Sequence, residues 1–251
     1  DLAPACVILF RRNVDGPRQL RELTAALGAL PSRPIIAVDQ EGGRVARLRE
    51  PFTAVPAAAR IGATGDPDLA YRVGRLLARE LRCVGIELDF APVLDVCDHP
   101  ANEAIGDRAF GSTPESVTVM AGALQRGLHD GGVIACGKHF PGHGHTDADS
   151  HFDLPVVRRS RPEWEAIEKP PFVAAIAAGL PMLLTAHVVH TALDAERPAT
   201  LSRGIVHDLL RTELGLRGVV ATDDMDMQAI ADRYAAGEAA GRAMRAGCAM
   251  V

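Results

Sequence analysis

Short apolar segments alternate along this chain with longer segments in which apolar residues recur every three or four positions. The short segments have the length and composition of buried strands. They predict strands at 6–10, 35–38, 86–90 continuing to 93, 133–136, 182–186, 219–222 and 249–251. The longer segments have the periodicity of amphipathic helices. They predict helices at 68–84, 114–130, 161–178, 203–214 and 226–246.

Polar and charged residues follow nearly every predicted strand. They are Arg11 to Asn13, Asp39 to Glu41, Asp95, Lys138 and His139, His187, and Asp223 and Asp224. Alternating strands and helices indicate an α/β fold with a parallel sheet, either an open doubly wound sheet or a (β/α)8 barrel. An open sheet concentrates its chemistry at one switch point, whereas a barrel uses the carboxyl ends of all its strands. The pattern therefore predicts a TIM-type (β/α)8 barrel.

The whole chain, residues 1–251, is expected to form this single barrel domain. No linker, repeat or low-complexity segment indicates a second domain. Only seven strands are predicted, and the last is cut at Val251. We therefore expect the barrel to lack its first strand and to be truncated at its C-terminal end.

Composition excludes several classes of protein. Apolar residues make up 47% of the 251 residues, enough for a large core, and no apolar run reaches the roughly 18 residues of a membrane span. The net charge of −5, with both signs interspersed, argues against nucleic acid or a membrane as partner. Five widely spaced cysteines favour reduced thiols. Without a visible signal peptide at Asp1, we expect a cytoplasmic protein.

The densest polar stretch of the chain is residues 138–151, Lys-His-Phe-Pro-Gly-His-Gly-His-Thr-Asp-Ala-Asp-Ser-His. It comes just after the strand predicted at 133–136. Polar residues in this position lie where α/β folds keep their chemistry, at the carboxyl ends of the strands. A solvated loop rich in histidine is the plain alternative, but such polar density after a buried strand is unusual in a structural turn.

A pair of aspartates, Asp223 and Asp224, ends the strand predicted at 219–222. Neighbouring residues of an extended strand point to opposite faces, so only one of the two carboxylates can face the barrel mouth. An ionised carboxylate there suits attack on the anomeric carbon of a sugar, or stabilisation of an oxocarbenium-like centre. We expect Asp224 to cap the following helix.

Glycoside hydrolysis also needs a proton donor, and the segment Asp149-Ser150-His151 offers one. An extended backbone places Asp149 and His151 on one side, where the carboxylate favours the imidazolium and leaves one ring nitrogen to deliver a proton. The loop 142–155 has glycines at its start and few side chains able to anchor it. We expect this loop to be mobile and able to close over the site.

Residues 38–47, after the second strand, offer candidates for sugar binding. Gly42-Gly43 permits a tight turn that brings Asp39 and one arginine to the same cavity. The Asp39 carboxylate suits a sugar diol, because it can accept two hydroxyl hydrogen bonds. Arg108 is a further candidate for polar contacts, and Arg44 is expected to be a structural strut.

Four segments, 38–48, 102–111, 138–151 and 222–227, together resemble the glycoside hydrolase family 3 β-N-acetylglucosaminidases of the bacterial NagZ type. The resemblance spans nearly the whole chain. It implies a single (β/α)8 barrel, a retaining reaction, and neither a cofactor nor a bound metal. It also implies that the substrate is a small carbohydrate, namely a GlcNAc-containing muropeptide or disaccharide from peptidoglycan recycling. We expect the protein to be a monomer.

The matching positions of the resemblance imply roles for individual residues. They imply Asp223 as nucleophile and His151 as general acid/base, paired with Asp149. Sugar contacts are implied for Asp39, Arg47, Arg108, Lys138 and His139. The chain departs from the family pattern at His145 and Ala249, where the family commonly has aspartate. The first departure affects a loop hydrogen bond, and the second affects packing at the last strand.

Three alternatives remain open from the sequence. A metal-dependent barrel hydrolase could use His143 and His145 with Asp147 and Asp149, although barrel metal sites usually draw ligands from several strands. A catalytically inactive sugar-binding barrel would have to keep both Asp223 and the dyad without using them. A GlcNAc glycoside phosphorylase is the third, because a histidine acid/base repels phosphate less than a glutamate does.

Overall fold

The computed structural model describes residues 3–99, 101–146 and 154–251. Its strands are β1 Cys6–Leu9, β2 Ile35–Val38, β3 Gln40–Gly42, β4 Val45–Ala46, β5 Leu88–Asp89, β6 Ile134–Phe140, β7 Val156–Val157, β8 Met182–Thr185, β9 Val189–His190 and β10 Val219–Thr222. Its α-helices are α1 Pro17–Gly28, α2 Ala58–Gly62, α3 Pro67–Cys83, α4 Pro114–Asp130, α5 Arg161–Ile167, α6 Lys169–Ala177, α7 Gln228–Ala231 and α8 Ala236–Ala246. A π-helix spans Gly204–Glu213, and short 3₁₀ turns span Arg11–Asn13, Gly106–Arg108 and Ala199–Leu201.

Six strands form one parallel sheet in the order β1-β2-β5-β6-β8-β10. Beyond β10, Met250 forms a parallel bridge with Ala221, and the Thr222 N–H donates to the Met250 carbonyl at 3.0 Å. All seven predicted strand regions therefore take part in one curved parallel array. This confirms the α/β architecture, whereas the lost first strand and the truncated end stay predictions.

The chain order of strands and helices places the carboxyl ends of all sheet strands at one edge. Antiparallel β3–β4 and parallel β7–β9 are two small separate ribbons next to that edge. Apolar side chains from successive strands, among them Ala37, Leu88, Cys136 and Leu184, form a buried cluster inside the array. The polar residues that follow the strands are thus gathered above an apolar interior.

Strand β6 is longer than predicted. It continues from Ile134 to Phe140, so Lys138 and His139 lie within the strand and not after it. Its register against β8 shifts between Gly137 and Phe140. A regular strand would point Lys138 and His139 to opposite faces. Here, where the register is irregular, the side chains of Lys138 and His139 line the same cavity.

Two predicted helices are wrong as continuous elements. The helix predicted at 161–178 divides at Glu168 into α5 and α6, because Pro170 and Pro171 cannot donate the backbone hydrogen bonds that would continue α5. The helix predicted at 226–246 divides into α7 and α8, and between them Tyr234 packs against the core. The helix predicted at 203–214 is present, in the wider π form.

Three α-helices, α3, α4 and α5, begin at capping side chains, Asp66, Thr113 and Ser160. Asp66 accepts hydrogen bonds from the N–H groups of Asp68 and Leu69 at the start of α3, and Ser160 forms a capping box with Glu163 at the start of α5.

Among the described residues, no helix is both long and apolar enough to cross a membrane. All five cysteines are free, and Cys83 is exposed in contrast to the buried Cys136 and Cys248.

Candidate active site

A polar cavity of about 230 Å³ lies at the carboxyl edge of the sheet. Residues at the carboxyl ends of four sheet strands, in the β3–β4 hairpin and in two further loops line it. They are Asp39, Arg44, Val45, Arg47, Ala104, Ile105, Arg108, Lys138, His139, His143, Leu184 and Asp223. The cavity therefore brings together six of the eight residues that the sequence proposed for the site. The other two, Asp149 and His151, lie outside the described residues.

Asp39 follows β2 directly and binds two cations. Its Oδ1 accepts from Lys138 Nζ at 2.8 Å, and its Oδ2 accepts from Arg47 Nη2 at 3.2 Å. Burial alone would raise the pKa of Asp39, but the charges of Lys138 and Arg47 outweigh it and lower the pKa to about 2. Asp39 is therefore ionised at neutral pH and presents a carboxylate to the cavity.

The β3–β4 hairpin returns Arg47 to Asp39. Gly42 and Gly43 turn the chain with φ of 102° and 54°, and a Cβ on Gly42 would lie 2.6 Å from the Pro56 carbonyl oxygen. The buried side chain of Gln40 accepts the Arg47 N–H at 2.8 Å. The predicted glycine turn is confirmed.

Glu41 is a member of the site that the sequence argument did not identify. Its carboxylate accepts from Lys138 Nζ at 2.6 Å and binds Arg108 through two hydrogen bonds of 2.8 and 2.9 Å. Burial would raise the pKa of Glu41, but Lys138 and Arg108 lower it to about 2. In an extended segment Asp39 and Glu41 share a face, and this two-residue spacing was the signal available in the sequence.

Lys138 is the buried cation between the two carboxylates. Its side chain is only 3% exposed, and burial would lower its pKa, yet Asp39 and Glu41 together raise it. The ammonium therefore stays charged. Because each of its carboxylate partners also binds an arginine, Arg47 or Arg108, the five groups form one continuous ion network, which costs less to bury than separate charges.

Asp95 sets which ring nitrogen of His139 carries the proton. It is the second residue of the site to which the sequence analysis assigns no role. His139 Nδ1 lies 2.6 Å from Asp95 Oδ2, and His139 Nε2 lies 3.1 Å from Arg108 Nη2. Arg108 can only donate, so Nε2 accepts and Nδ1 carries the proton. Burial, followed by the charges of Arg108 and Lys138, lowers the pKa of His139 well below its usual value. His139 is neutral, and Asp95 and Arg108 fix its orientation.

The start of the loop after β6 is anchored, contrary to the prediction of a mobile loop over 142–155. His143 N–H donates to Asp95 Oδ1 at 2.7 Å, and Asn102 Nδ2 donates to the His143 carbonyl at 2.8 Å. His143 and Thr146 are buried, and a Cβ on Gly144 would lie 1.9 Å from the Val96 carbonyl oxygen. Residues 142–146 therefore pack closely, and residues 147–153 of the predicted loop lie outside the described residues.

The two histidines of the metal alternative have different partners. His143 Nδ1 lies 2.8 Å from Thr146 Oγ1, whereas His145 Nδ1 lies 2.8 Å from Asp98 Oδ1. Within residues 3–99, 101–146 and 154–251, no cluster of three or more His, Cys, Asp or Glu side chains is arranged to hold a metal ion. Asp147 and Asp149 of that alternative lie outside these ranges.

His145 belongs to a partly buried cluster of charged side chains, in which Arg159 and Glu168 are buried and Asp98 is half-buried. Arg159 contacts both Asp98 and His145, and its Nε lies 2.9 Å from Glu168 Oε1. The Arg159 guanidinium thus contacts two carboxyl groups. Burial raises the pKa of Glu168 to about 8, because Arg159 compensates it only in part and the negative charge of Asp98 adds to the rise. The cluster connects residue 145 to residue 159, on either side of the acid/base segment in sequence.

Asp223 and Asp224 differ as the strand alternation predicts. Asp223 is half-buried and lines the cavity, whereas Asp224 is exposed. The Asp223 Oδ1 accepts the Asp224 N–H at 2.9 Å. Asp224 is not the predicted helix cap, because its Oδ1 accepts the Asp226 N–H at 2.9 Å and closes a turn before α7.

Arg44 fulfils the strut role that the sequence suggested. Its Nε donates to Asp107 at 2.9 Å, and its Nη2 donates to the carbonyl of Glu103 at 2.6 Å. These bonds attach the β3–β4 hairpin to the segment that carries Arg108. One loop is thereby held against the other across the cavity rim.

Comparison with known proteins gives a consistent result over nearly the full chain. The family model described as "Glycosyl hydrolase family 3 N terminal domain" matches residues 3–251. A curated β-hexosaminidase from Nitrosomonas eutropha is 44% identical over 252 residues, which cover 98% of this chain and 72% of that protein.

Solved structures agree with the sequence matches. A glycoside hydrolase family 3 β-N-acetylglucosaminidase from Paenibacillus sp. str. FPU-7 superposes with a TM-score of 0.97 at 43% identity, over 99% of this chain and 48% of that one. NagZ from Neisseria gonorrhoeae, in complex with N-trifluoroacetyl-D-glucosamine, superposes with a TM-score of 0.91 at 42% identity. That match covers 98% of this chain and 73% of the NagZ chain.

Proposed function

The chain belongs to glycosyl hydrolase family 3 and is a glycoside hydrolase of the β-hexosaminidase kind with a TIM-like barrel fold, and on this premise we propose that it is a retaining exo-β-N-acetylglucosaminidase. Its proposed substrates are muropeptides or disaccharides derived from peptidoglycan, from which it removes a terminal GlcNAc during cell-wall recycling in the cytoplasm. One observation carries the proposal: the Asp223 carboxylate lines a small cavity in which the other acidic and basic side chains, Asp39, Arg44, Arg47, Arg108 and Lys138, are each held in ion pairs.

Asp223 is the proposed nucleophile. Its Oδ1 is engaged by the Asp224 N–H, whereas no described residue donates a hydrogen bond to Oδ2. Oδ2 is therefore the oxygen that attacks the anomeric carbon. The bond to the leaving-group oxygen breaks as the bond to Oδ2 forms, which gives a covalent glycosyl-enzyme.

The paired charges of the cavity are proposed to bind one sugar ring. Asp39 accepts sugar hydroxyl hydrogen bonds, while Arg47, Arg108 and Lys138 donate to hydroxyl oxygens. His139 Nε2 is an acceptor, so it supports Arg108 or accepts a sugar hydroxyl and does not donate. A volume of about 230 Å³ lies below the usual range for drug-sized ligands and fits one pyranose, which supports exo action.

His151 is the proposed acid/base, paired with Asp149, and both assignments rest on the resemblance of their motif. In the first step His151 gives its proton to the leaving-group oxygen. In the second it takes a proton from the water that attacks the anomeric carbon, and Asp223 leaves as a carboxylate. Two displacements at one carbon retain its configuration.

The direct test of the activity compares chromogenic β-N-acetylglucosaminides with the corresponding β-glucosides. We expect turnover of the acetamido sugar to exceed that of the glucoside, with retained configuration and no dependence on phosphate or EDTA. Equal or better turnover of the glucoside would refute the substrate proposal. A sugar 1-phosphate formed in phosphate buffer would indicate phosphorolysis, and loss of activity in EDTA that zinc restores would indicate the metal-dependent alternative.

A further inference from the structure

His187 lies just beyond β8 and is fully buried, with 0% of its surface exposed. Its Nε2 lies 3.0 Å from the carbonyl oxygen of Asp224, and its Nδ1 lies 2.9 Å from Thr200 Oγ1. A carbonyl oxygen can only accept, so Nε2 carries a proton. The ring therefore bonds directly to the backbone turn that follows the proposed nucleophile.

Thr200 completes the support of the ring from its other side. Burial lowers the pKa of His187, so the imidazole is neutral and Nδ1 is an acceptor. The Thr200 hydroxyl has one hydrogen, and Nδ1, the Ala186 carbonyl at 3.0 Å and the Thr185 hydroxyl at 3.0 Å can each receive it. Donation to the unprotonated Nδ1 gives the ring its second hydrogen bond and supports the tautomer with its proton on Nε2.

Among the described residues, two further backbone hydrogen bonds involve Asp223 and Asp224. Asp223 N–H donates to the Thr185 carbonyl at 3.3 Å, and the Asp224 carbonyl also accepts the Met227 N–H at 3.1 Å within the turn. The bond from His187 links this carbonyl to a buried strand end. It therefore restrains the peptide unit that follows Asp224 and, through the Asp224 backbone, limits rotation of the unit that precedes it.

We propose that His187 is a positioning residue for Asp223. By holding the Asp224 carbonyl, it keeps the Asp224 N–H directed at Asp223 Oδ1, at 2.9 Å, and so leaves Oδ2 turned toward the sugar. This inference rests on the proposed function, because His187 acts through the proposed nucleophile. His187 is not among the residues that line the cavity, so its loss affects attack by Asp223 and not contact with the substrate.

Two substitutions at one position separate positioning from general packing. In His187→Gln the side-chain amide nitrogen can reach the place of Nε2 and keep the donor to Asp224. In His187→Asn the amide reaches only the place of Nδ1, so the bond to Asp224 is lost. We expect His187→Asn to lower kcat about 10- to 100-fold with KM unchanged, and His187→Gln to recover most of that loss.

The kinetic measurement uses β-N-acetylglucosaminides with dinitrophenol and with phenol as leaving groups. Because attack by Asp223 is needed for both, kcat should fall by a similar factor for each in His187→Asn. The melting temperature of each variant shows whether it is folded. If His187→Asn does not fold, Thr200→Val serves instead, since it removes the hydroxyl that fixes the tautomer, and it should lower kcat several-fold at unchanged KM.

The inference is overturned if kcat of His187→Asn stays within about twofold of wild type, if KM rises while kcat is unchanged, or if His187→Gln is as impaired as His187→Asn. Asp223→Ala is assayed alongside. Activity in wild type with none in Asp223→Ala leaves the proposed function standing whatever the His187 variants show. Full activity in Asp223→Ala would instead refute the proposed function itself.

Discussion

Two adjacent carboxylates at the end of β10 have different surroundings and therefore different expected roles. Asp223 faces the cavity with one oxygen bonded to a backbone N–H, whereas Asp224 faces solvent and closes a turn through Asp226. The alternation of an extended strand predicted this division. The turn itself was predicted as a helix cap, because the sequence does not show that α7 begins only at Gln228.

Substitution of each aspartate should separate these roles. Asp223→Ala should lower kcat on the order of 10³-fold or more, because the covalent route is lost with the carboxylate. Asp224→Ala should leave kcat within a few-fold and lower the free energy of unfolding by about 0.5–1.5 kcal/mol, the usual value of one hydrogen bond. Steady-state kinetics and urea unfolding of both variants measure this. A large loss of kcat in Asp224→Ala with nearly normal kcat in Asp223→Ala would mean that Asp224 is the nucleophile and Asp223 the turn residue.

His151→Ala tests the proposed proton donor with leaving groups of graded acidity. Strongly acidic phenols leave without protonation, so their glycosides should be slowed little, whereas glycosides with poor leaving groups should be slowed severely. The slope of log kcat/KM against the pKa of the leaving group measures the difference. A uniform loss across the series would mean that His151 positions the sugar and does not donate the proton.

Individual residues of the site were predictable where their position in a strand decides their place. Asp39, Lys138 and Asp223 could be found because each follows a short apolar segment in the sequence. Glu41 and Asp95 received no role because their importance depends on partners distant in sequence, Arg108 for Glu41 and His139 for Asp95. Such pairing follows from strand register, which a single sequence does not give.

Helices α3 and α4 approach each other closely through two glycines. A Cβ on Gly74 would lie 2.4 Å from the Leu124 carbonyl oxygen, and a Cβ on Gly127 would lie 2.3 Å from the Tyr71 carbonyl oxygen. Neither distance leaves room for a side chain. The helical periodicity predicted both helices, but it cannot show that these glycines face each other.

Gly127→Ala should therefore destabilise the protein by about 1–3 kcal/mol, the usual cost of overpacking. The matched control is Gly122→Ala in the same helix, where nothing lies within 4 Å of the added Cβ. That change should be neutral or stabilising by up to about 1 kcal/mol, since alanine favours the helix over glycine. Urea unfolding measures both, and equal effects would contradict the close approach of α3 and α4.

The α/β alternation could be predicted for the entire chain, because it depends on hydrophobic periodicity alone. The division of the predicted helices at Glu168 and near Tyr234 was missed. Apolar periodicity continues through both breaks, and proline pairs or local packing decide where the backbone hydrogen bonds stop. Hydrophobic periodicity likewise does not show that β6 continues through the polar residues Lys138 and His139.

The Glu168 cluster makes the stability of the protein depend on pH. The pKa of Glu168 is about 8 in the folded protein against 4.5 as its ordinary value. Below about pH 4.5 both states hold the proton, so its contribution is largest there. As pH rises toward 8 the unfolded state loses the proton first, and the free energy of unfolding falls. Asp39 and Glu41, with pKa of about 2, act only at lower pH.

Glu168→Gln should flatten the pH dependence of stability between about pH 5 and pH 8, because glutamine has no proton to lose. Glu196→Gln is the control, since Glu196 is 84% exposed and should leave the slope unchanged. Urea unfolding at several pH values measures the slopes of both variants and of wild type. An unchanged slope in Glu168→Gln would mean that Glu168 is ionised beside Arg159 throughout this range.

Covalent trapping of Asp223 tests the central claim most directly. The enzyme is treated with a 5-fluoro analogue of an activated N-acetylglucosaminyl donor, which slows both steps and lets the glycosyl-enzyme accumulate, and the labelled peptide is mapped by mass spectrometry. We expect one added sugar per chain, attached to Asp223, and no label in Asp223→Ala. A label on Asp224 or any other residue, or turnover without any covalent label, would contradict it.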